Sequence, residues 1–269
     1  MTAYATPAGD GASRWLRRLA VPGAPAPGPF RARVVCLPHA GGAASAYQGW
    51  ARHVPPGVEL IAVQYPGRQE RLAERCSETM EETAGAVAGA LAALPALPTV
   101  VFGHSMGALV AYETVLRLAR TAPHATPVHL FVSGTAAPHR DRDDLPGLDD
   151  DSLVAYTRRQ GGAEPEVYEI PELRELLLPS LRADFRLLTG YLPVRDPART
   201  GVPVTALGGD RDTGCPPGRL ETWGELTTGE FATRVLPGGH FYLQGAEELL
   251  CALVHGALDA GADVRRAAP

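Results

Sequence analysis

Short apolar runs rich in β-branched residues recur along this chain, at 33–37, 58–63, 99–102, 128–133, 202–207 and 231–236, with helical stretches between them. A run that is apolar on both faces must be buried on both faces, and the intervening helices supply the cover. The alternation predicts an α/β fold: a mostly parallel sheet with helices at 44–53, 78–94, 106–120, 219–226 and 246–258 on its two faces. Length agrees, because a chain of 269 residues buries about three quarters of its unfolded surface without disulfide or metal support.

One interval breaks the rhythm. Residues 134–201 are far more than a crossover between adjacent parallel strands needs. Asp149, Asp150 and Asp151 suit a helix start, Gly161-Gly162 its stop, and Pro171 and Pro179 each suit a first helical position. Three short helices are expected, the last two carrying Leu173, Leu176, Leu177, Leu178, Leu181, Phe185 and Leu188. So broad an apolar set needs a surface to cover, and the expectation is a helical lid, about 136–193, over the edge of the sheet where chemistry would sit.

Composition excludes several classes. Cys36, Cys76, Cys215 and Cys251 lack Cys-x-x-Cys spacing, which argues against zinc and against a secreted disulfide framework and places the chain in a reducing cytoplasm. The net charge of −5, with no dense basic block, offers nothing to nucleic acid or an anionic membrane. Arg14 to Leu19 is followed by Pro, Gly and Ala, not by the apolar core of a secretory signal. Residues 1–29 are therefore read as a flexible lead anchored by Trp15, 30–260 as a single domain, and 261–269 as a tail. The alanine-rich stretch 79–97 carries Glu81 and Glu82 and ends at Pro95 and Pro98, so it reads as a packed helix and not a membrane span.

The chemistry is carried by Gly103-His104-Ser105-Met106-Gly107, set between the run 99–102 and the helical stretch that follows. A serine on a strand-to-helix elbow has a strained backbone and close neighbours, so glycine is needed on both sides. The turn lifts the Ser105 hydroxyl above the sheet edge at the positive end of the next helix, which favours a developing oxyanion. A serine hydroxyl is a weak nucleophile and needs a histidine base held in the correct tautomer by an acid. Of eight histidines, only His240 follows a late strand on a loop, Pro237-Gly238-Gly239, able to return to the same sheet edge. His39 and His104 flank other motif residues and read as packed side chains.

If the order is nucleophile, acid, histidine, as in α/β-hydrolases, the acid follows a strand between Ser105 and His240. After 128–133 no carboxylate occurs until Asp141, whereas after 202–207 the chain reads Gly208-Gly209-Asp210-Arg211-Asp212. Asp212 is preferred because it stands at the loop top, with Asp210 as the alternative. Two donors must also face the tetrahedral oxyanion. Met106 supplies one backbone N–H; the loop Pro38-His39-Ala40-Gly41-Gly42 supplies the other, from Ala40 or, in reserve, Gly41.

Five segments together resemble the type II thioesterases that accompany polyketide synthases and nonribosomal peptide synthetases. They are Cys36 to Gly42; Gln64-Tyr65-Pro66-Gly67-Arg68-Gln69-Glu70-Arg71; Gly103 to Ala108; Leu176 to Phe185; and Pro237 to Phe241. The Tyr-Pro-Gly-Arg-Gln run is the most family-specific. The resemblance implies an α/β-hydrolase with a lid and no cofactor of its own. Its substrate would be an acyl group on the phosphopantetheine arm of a carrier protein. It makes Ser105 the nucleophile, His240 the base, Asp212 the orienting acid, and Met106 and Ala40 the oxyanion donors. The protein is expected to be monomeric and to release short or aberrant acyl groups from stalled synthases. Arg68, Arg71 and Arg75 are placed at the active-site rim, where they read first as solvated surface charge and, in the alternative, as groups that steer the docking of acidic carriers. A carboxylester hydrolase, a chain-releasing thioesterase and a non-catalytic carrier-binding module are the alternatives.

Overall fold

The computed structural model of the chain describes residues 12–21, 29–140, 145–161 and 165–267. A single turn, α1 (Ala12–Trp15), leads into β1 (Leu16–Leu19). There follow β2 (Ala32–Leu37), β3 (Val58–Val63), α2 (Met80–Ala92), β4 (Thr99–His104), α3 (Met106–Thr121) and β5 (His129–Ser133). The long insertion holds α4 (Asp150–Gln160) and α5 (Pro171–Tyr191), and β6 (Val204–Gly209), β7 (Phe231–Leu236) and α6 (Glu247–Ala267) complete the chain.

The strands make one seven-stranded sheet in the order β1-β3-β2-β4-β5-β6-β7, parallel throughout except for β1. Every residue of β2, β3, β4 and β6 is buried, as continuous apolar runs require. β7, at the far edge, leaves Arg234 and Val235 exposed. One apolar core gathers α2, α3 and α5 on one face of the sheet, through Leu91, Leu109, Val115 and Phe185. A second holds Tyr47 and Trp50 with Leu250, Cys251 and Val254 of α6 on the other. α2 starts at a Thr79 cap whose side chain accepts from the Glu82 amide.

Five expectations are corrected. Leu16–Leu19 is not part of a loose lead: it pairs antiparallel with β3, Leu16 and Leu19 facing inward while Arg18 and Arg17 reach Glu59 and Glu70. Trp15 lies under the Arg71 guanidinium, 4.6 Å away, and its carbonyl accepts from the Gln64 amide. Pro179 starts no new helix but sits inside α5, where Leu178, Leu181, Phe185 and Leu188 are buried. Burial of that set outweighs the roughly 3 kcal/mol that an internal proline costs a helix. The stretches expected as helices at 44–53 and 219–226 are 3-10 in form, Ala44–Arg52 and Pro217–Leu226. The expected tail is largely helical, since α6 runs to Ala267. β6 begins at Val204 because Pro203 has no N–H for the ladder.

Candidate active site

β4 delivers the elbow. Gly103 ends its pairing opposite Leu37, and Ser105 stands at φ 54°, ψ −119°, a left-handed conformation rare for a residue with a Cβ. Its amide is tied to the Ser133 carbonyl at 2.7 Å, which holds the turn against β5. A Cβ at Gly103 would collide with the Gly107 carbonyl, and one at Gly107 with the Leu37 carbonyl, so the elbow closes only with glycine at both. Met106 opens α3, and first-turn amides of a helix have no acceptor within it. The Met106 N–H is thus available beside the Ser105 hydroxyl.

β6 and β7 deliver the other two groups. His240 Nδ1 lies 2.8 Å from Asp212 Oδ2, and the Asp212 side chain is fully buried. The other carboxylate oxygen of Asp212 accepts from the Gly214 and Cys215 amides at 2.9 and 3.0 Å, which fixes its orientation. Asp210 does different work: it accepts from the Gly238 amide at 2.8 Å and so pins the loop carrying His240. The loops meet because Gly209 presents no Cβ to the Gly238 and Gly239 carbonyls pressed against it. Asp141 lies outside the described residues.

Ser105 and His240 line one cavity of about 200 Å³, together with His39, Ala40, Gly41 and Phe241. Lid residues close it: Tyr156, Thr157 and Gln160 from α4, Tyr168, and Leu177, Leu181 and Phe185 from α5. The insertion therefore covers this edge of the sheet. His39 and Phe241 meet in a T-shaped contact with ring centroids 4.8 Å apart, and burial followed by the nearby His240 and Arg68 pushes the His39 pKa down to about 3. His104, under His240 at 4.9 Å, is likewise held well below the ordinary histidine value, by burial first and then by His240 and His39. Both imidazoles are neutral at pH 7, in keeping with packed side chains. His104 Nδ1 bonds Ser133 Oγ at 2.9 Å, which in turn bonds the Tyr242 hydroxyl at 2.6 Å.

Two of the three arginines expected on the rim are not there. Arg68 and Arg71 are buried, at 6% and 5% exposure: Arg68 pairs with Asp184 of α5, and Arg71 bonds the Gln64 carbonyl and Glu74. Only Arg75 is exposed, engaged with Glu78 and Glu82. The Arg68–Asp184 pair was not anticipated as part of the site. Its signal was a carboxylate at 184 on the apolar face of a helix, between Leu181 and Phe185, where an unpartnered charge is not tolerated.

The chain as a whole is similar to known proteins. Residues 32–257 match the profile of the thioesterase domain family. Thioesterase PikA5 of Streptomyces venezuelae is 40% identical over 241 residues, 88% of this chain and 83% of its own length. The probable cadicidin biosynthesis thioesterase of Streptomyces griseus is 39% identical over 88% of this chain, which spans 64% of that protein. Among solved structures, the RedJ thioesterase from the prodiginine biosynthetic pathway in Streptomyces coelicolor has a TM-score of 0.79 and 39% identity, over 90% of this chain and 96% of its own.

Proposed function

This chain belongs to the thioesterase family, with the α/β-hydrolase fold of a serine hydrolase, and from that premise we propose that it hydrolyses acyl groups from the phosphopantetheine arm of carrier proteins, editing stalled synthases in secondary-metabolite biosynthesis. The observation that carries the reading is the 2.8 Å bond between Asp212 and His240, at a cavity that also exposes the strained Ser105.

In the proposed reaction the Ser105 hydroxyl attacks the thioester carbonyl while His240 takes its proton through Nε2. Asp212 keeps the opposite nitrogen protonated and stabilises the imidazolium that forms. The Met106 and Ala40 amides hold the tetrahedral oxyanion. The carbon–sulfur bond then breaks, His240 returns its proton to the departing thiol, and the acyl group remains on Ser105. Water, deprotonated by the same His240, releases it as the carboxylic acid and restores the serine. Because a thiolate leaves more readily than an amine, less is asked of the general acid than in peptide cleavage.

Selectivity then falls to access. A cavity of about 200 Å³ lies below the roughly 300–1,000 Å³ range of pockets that hold drug-sized ligands, which supports short acyl groups as substrates. We read the protein as a monomer of the cytoplasm, a compartment that the scattered spacing of Cys36, Cys76, Cys215 and Cys251 suits. Among the described residues no helix is long and apolar enough to cross a membrane.

Kinetics on a panel of carriers loaded with acetyl and progressively longer acyl groups, set against nitrophenyl esters, test the reading. Free acid from short-chain carriers, at kcat/KM well above that for the ester, is expected. No acid from any carrier, or a preference for the ester, would overturn it.

A further inference from the structure

The loop that offers the second oxyanion donor is held from two sides by charges absent from the reaction. His39 to Gly42 forms a tight turn, closed by the Gly42 amide on the His39 carbonyl at 2.9 Å, with Gly41 at φ +73°. The Gly41 amide donates to Asp184 Oδ2 at 2.7 Å. Arg68 meets the same carboxylate with both terminal nitrogens, at 2.7 and 2.8 Å, and donates from Nη1 to the Gly42 carbonyl at 3.0 Å. Both residues are 6% exposed. With Gly41 and Gly42 committed in this way, Ala40 is left as the loop amide for the oxyanion.

Asp184 belongs to α5, which also brings Leu181 and Phe185 to the cavity wall. Arg68 belongs to the run after β3, whose Gln64 accepts from the Ala44 amide and whose Tyr65 hydroxyl donates to the Pro38 carbonyl. One ion pair thus joins three segments, and a displacement of α5 takes away the acceptor that orients Gly41. We propose that Arg68 and Asp184 are positioning residues that tie the geometry of the oxyanion loop to the seating of α5, so that the acyl cavity and the oxyanion hole are assembled together. Stability alone does not account for such a pair, because apolar residues of similar volume commonly stabilise a fold as well as a buried ion pair does. What apolar residues cannot supply is an acceptor for the Gly41 amide.

The proposal rests on Ser105 being the nucleophile and not on the carrier as substrate, so its test uses acetyl-N-acetylcysteamine and p-nitrophenyl acetate. Rates are expressed per Ser105 titrated with a fluorophosphonate, which removes unfolded protein from the comparison. Asp184→Ala and the double variant Arg68→Met/Asp184→Leu are expected to lose about 10- to 100-fold in kcat with KM within about twofold, the scale of a small misplacement at a reacting centre. Asp184→Asn, whose amide oxygen still accepts from Gly41, is expected to recover most of the loss. Wild-type kcat per titrated site in Asp184→Ala or in the double variant would overturn the proposal, as would a loss confined to KM. Failure of the fluorophosphonate to add to Ser105 would instead refute Ser105 as nucleophile, and activity on these substrates with none on carriers would refute only the carrier reading.

Discussion

Asp212 accepts from two backbone amides through one oxygen and faces His240 Nδ1 with the other, whereas Asp210, two residues earlier, reaches the Gly238 amide. Converting Asp212 to Asn places an NH₂ group where His240 needs an acceptor and favours the wrong tautomer. Asp212→Asn is expected to lower kcat on an acyl thioester by roughly 10³- to 10⁴-fold, while Asp210→Asn, which keeps an oxygen for Gly238, costs less than about tenfold. Equal losses in the two variants would contradict the division of labour. The sequence favours Asp212 by its place at the loop top and keeps Asp210 as the alternative, since both carboxylates follow the same strand; the packing of the loop after β6 on the loop after β7 gives the two their different partners. Arg68 and Arg71 are buried by groups that lie far along the chain: Asp184 is 116 residues from Arg68, and Arg71 is covered by the Trp15 ring.

At the scale of elements, α4 and α5 turn an open sheet edge into a bounded cavity. Phe185 packs edge-on against Tyr156 at 4.9 Å, and both line that cavity. Phe185→Ala is expected to destabilise the fold by about 3 kcal/mol and to enlarge the space for the acyl chain. The octanoyl-to-acetyl ratio of kcat/KM should then rise at least about tenfold, since each added methylene becomes bindable; an unchanged ratio would show that Phe185 does not bound the acyl chain. The buried parallel strands were legible because each is a continuous apolar run. β1 was not, because its inward leucines flank two arginines whose acidic partners, Glu59 and Glu70, lie far along the chain. The 3-10 form of Ala44–Arg52 and the continuity of α5 through Pro179 depend on packing that periodicity does not record.

Across the whole molecule, two apolar cores flank the sheet and the neutral imidazoles of His39 and His104 are packed at the carboxyl ends of its central strands. An unfolded histidine binds its proton near pH 6.5, while folded His39 does so only near 3, so between these values the unfolded state holds more protons. Stability therefore falls as pH drops from about 6.5 towards 3, and thermal unfolding across that window should show a lower Tm at each step down. His39→Gln should flatten the slope; an unaltered slope would mean that His39 takes up its proton in the fold. The central claim is the convergence of Ser105, His240 and Asp212, drawn from the ends of β4, β7 and β6, into one reacting group. Its most direct test is the rate and position of fluorophosphonate labelling, read by peptide mass spectrometry. The account predicts an adduct on Ser105 alone, formed at least about 100-fold more slowly in His240→Ala. Label on another residue, or an undiminished rate in His240→Ala, would contradict it.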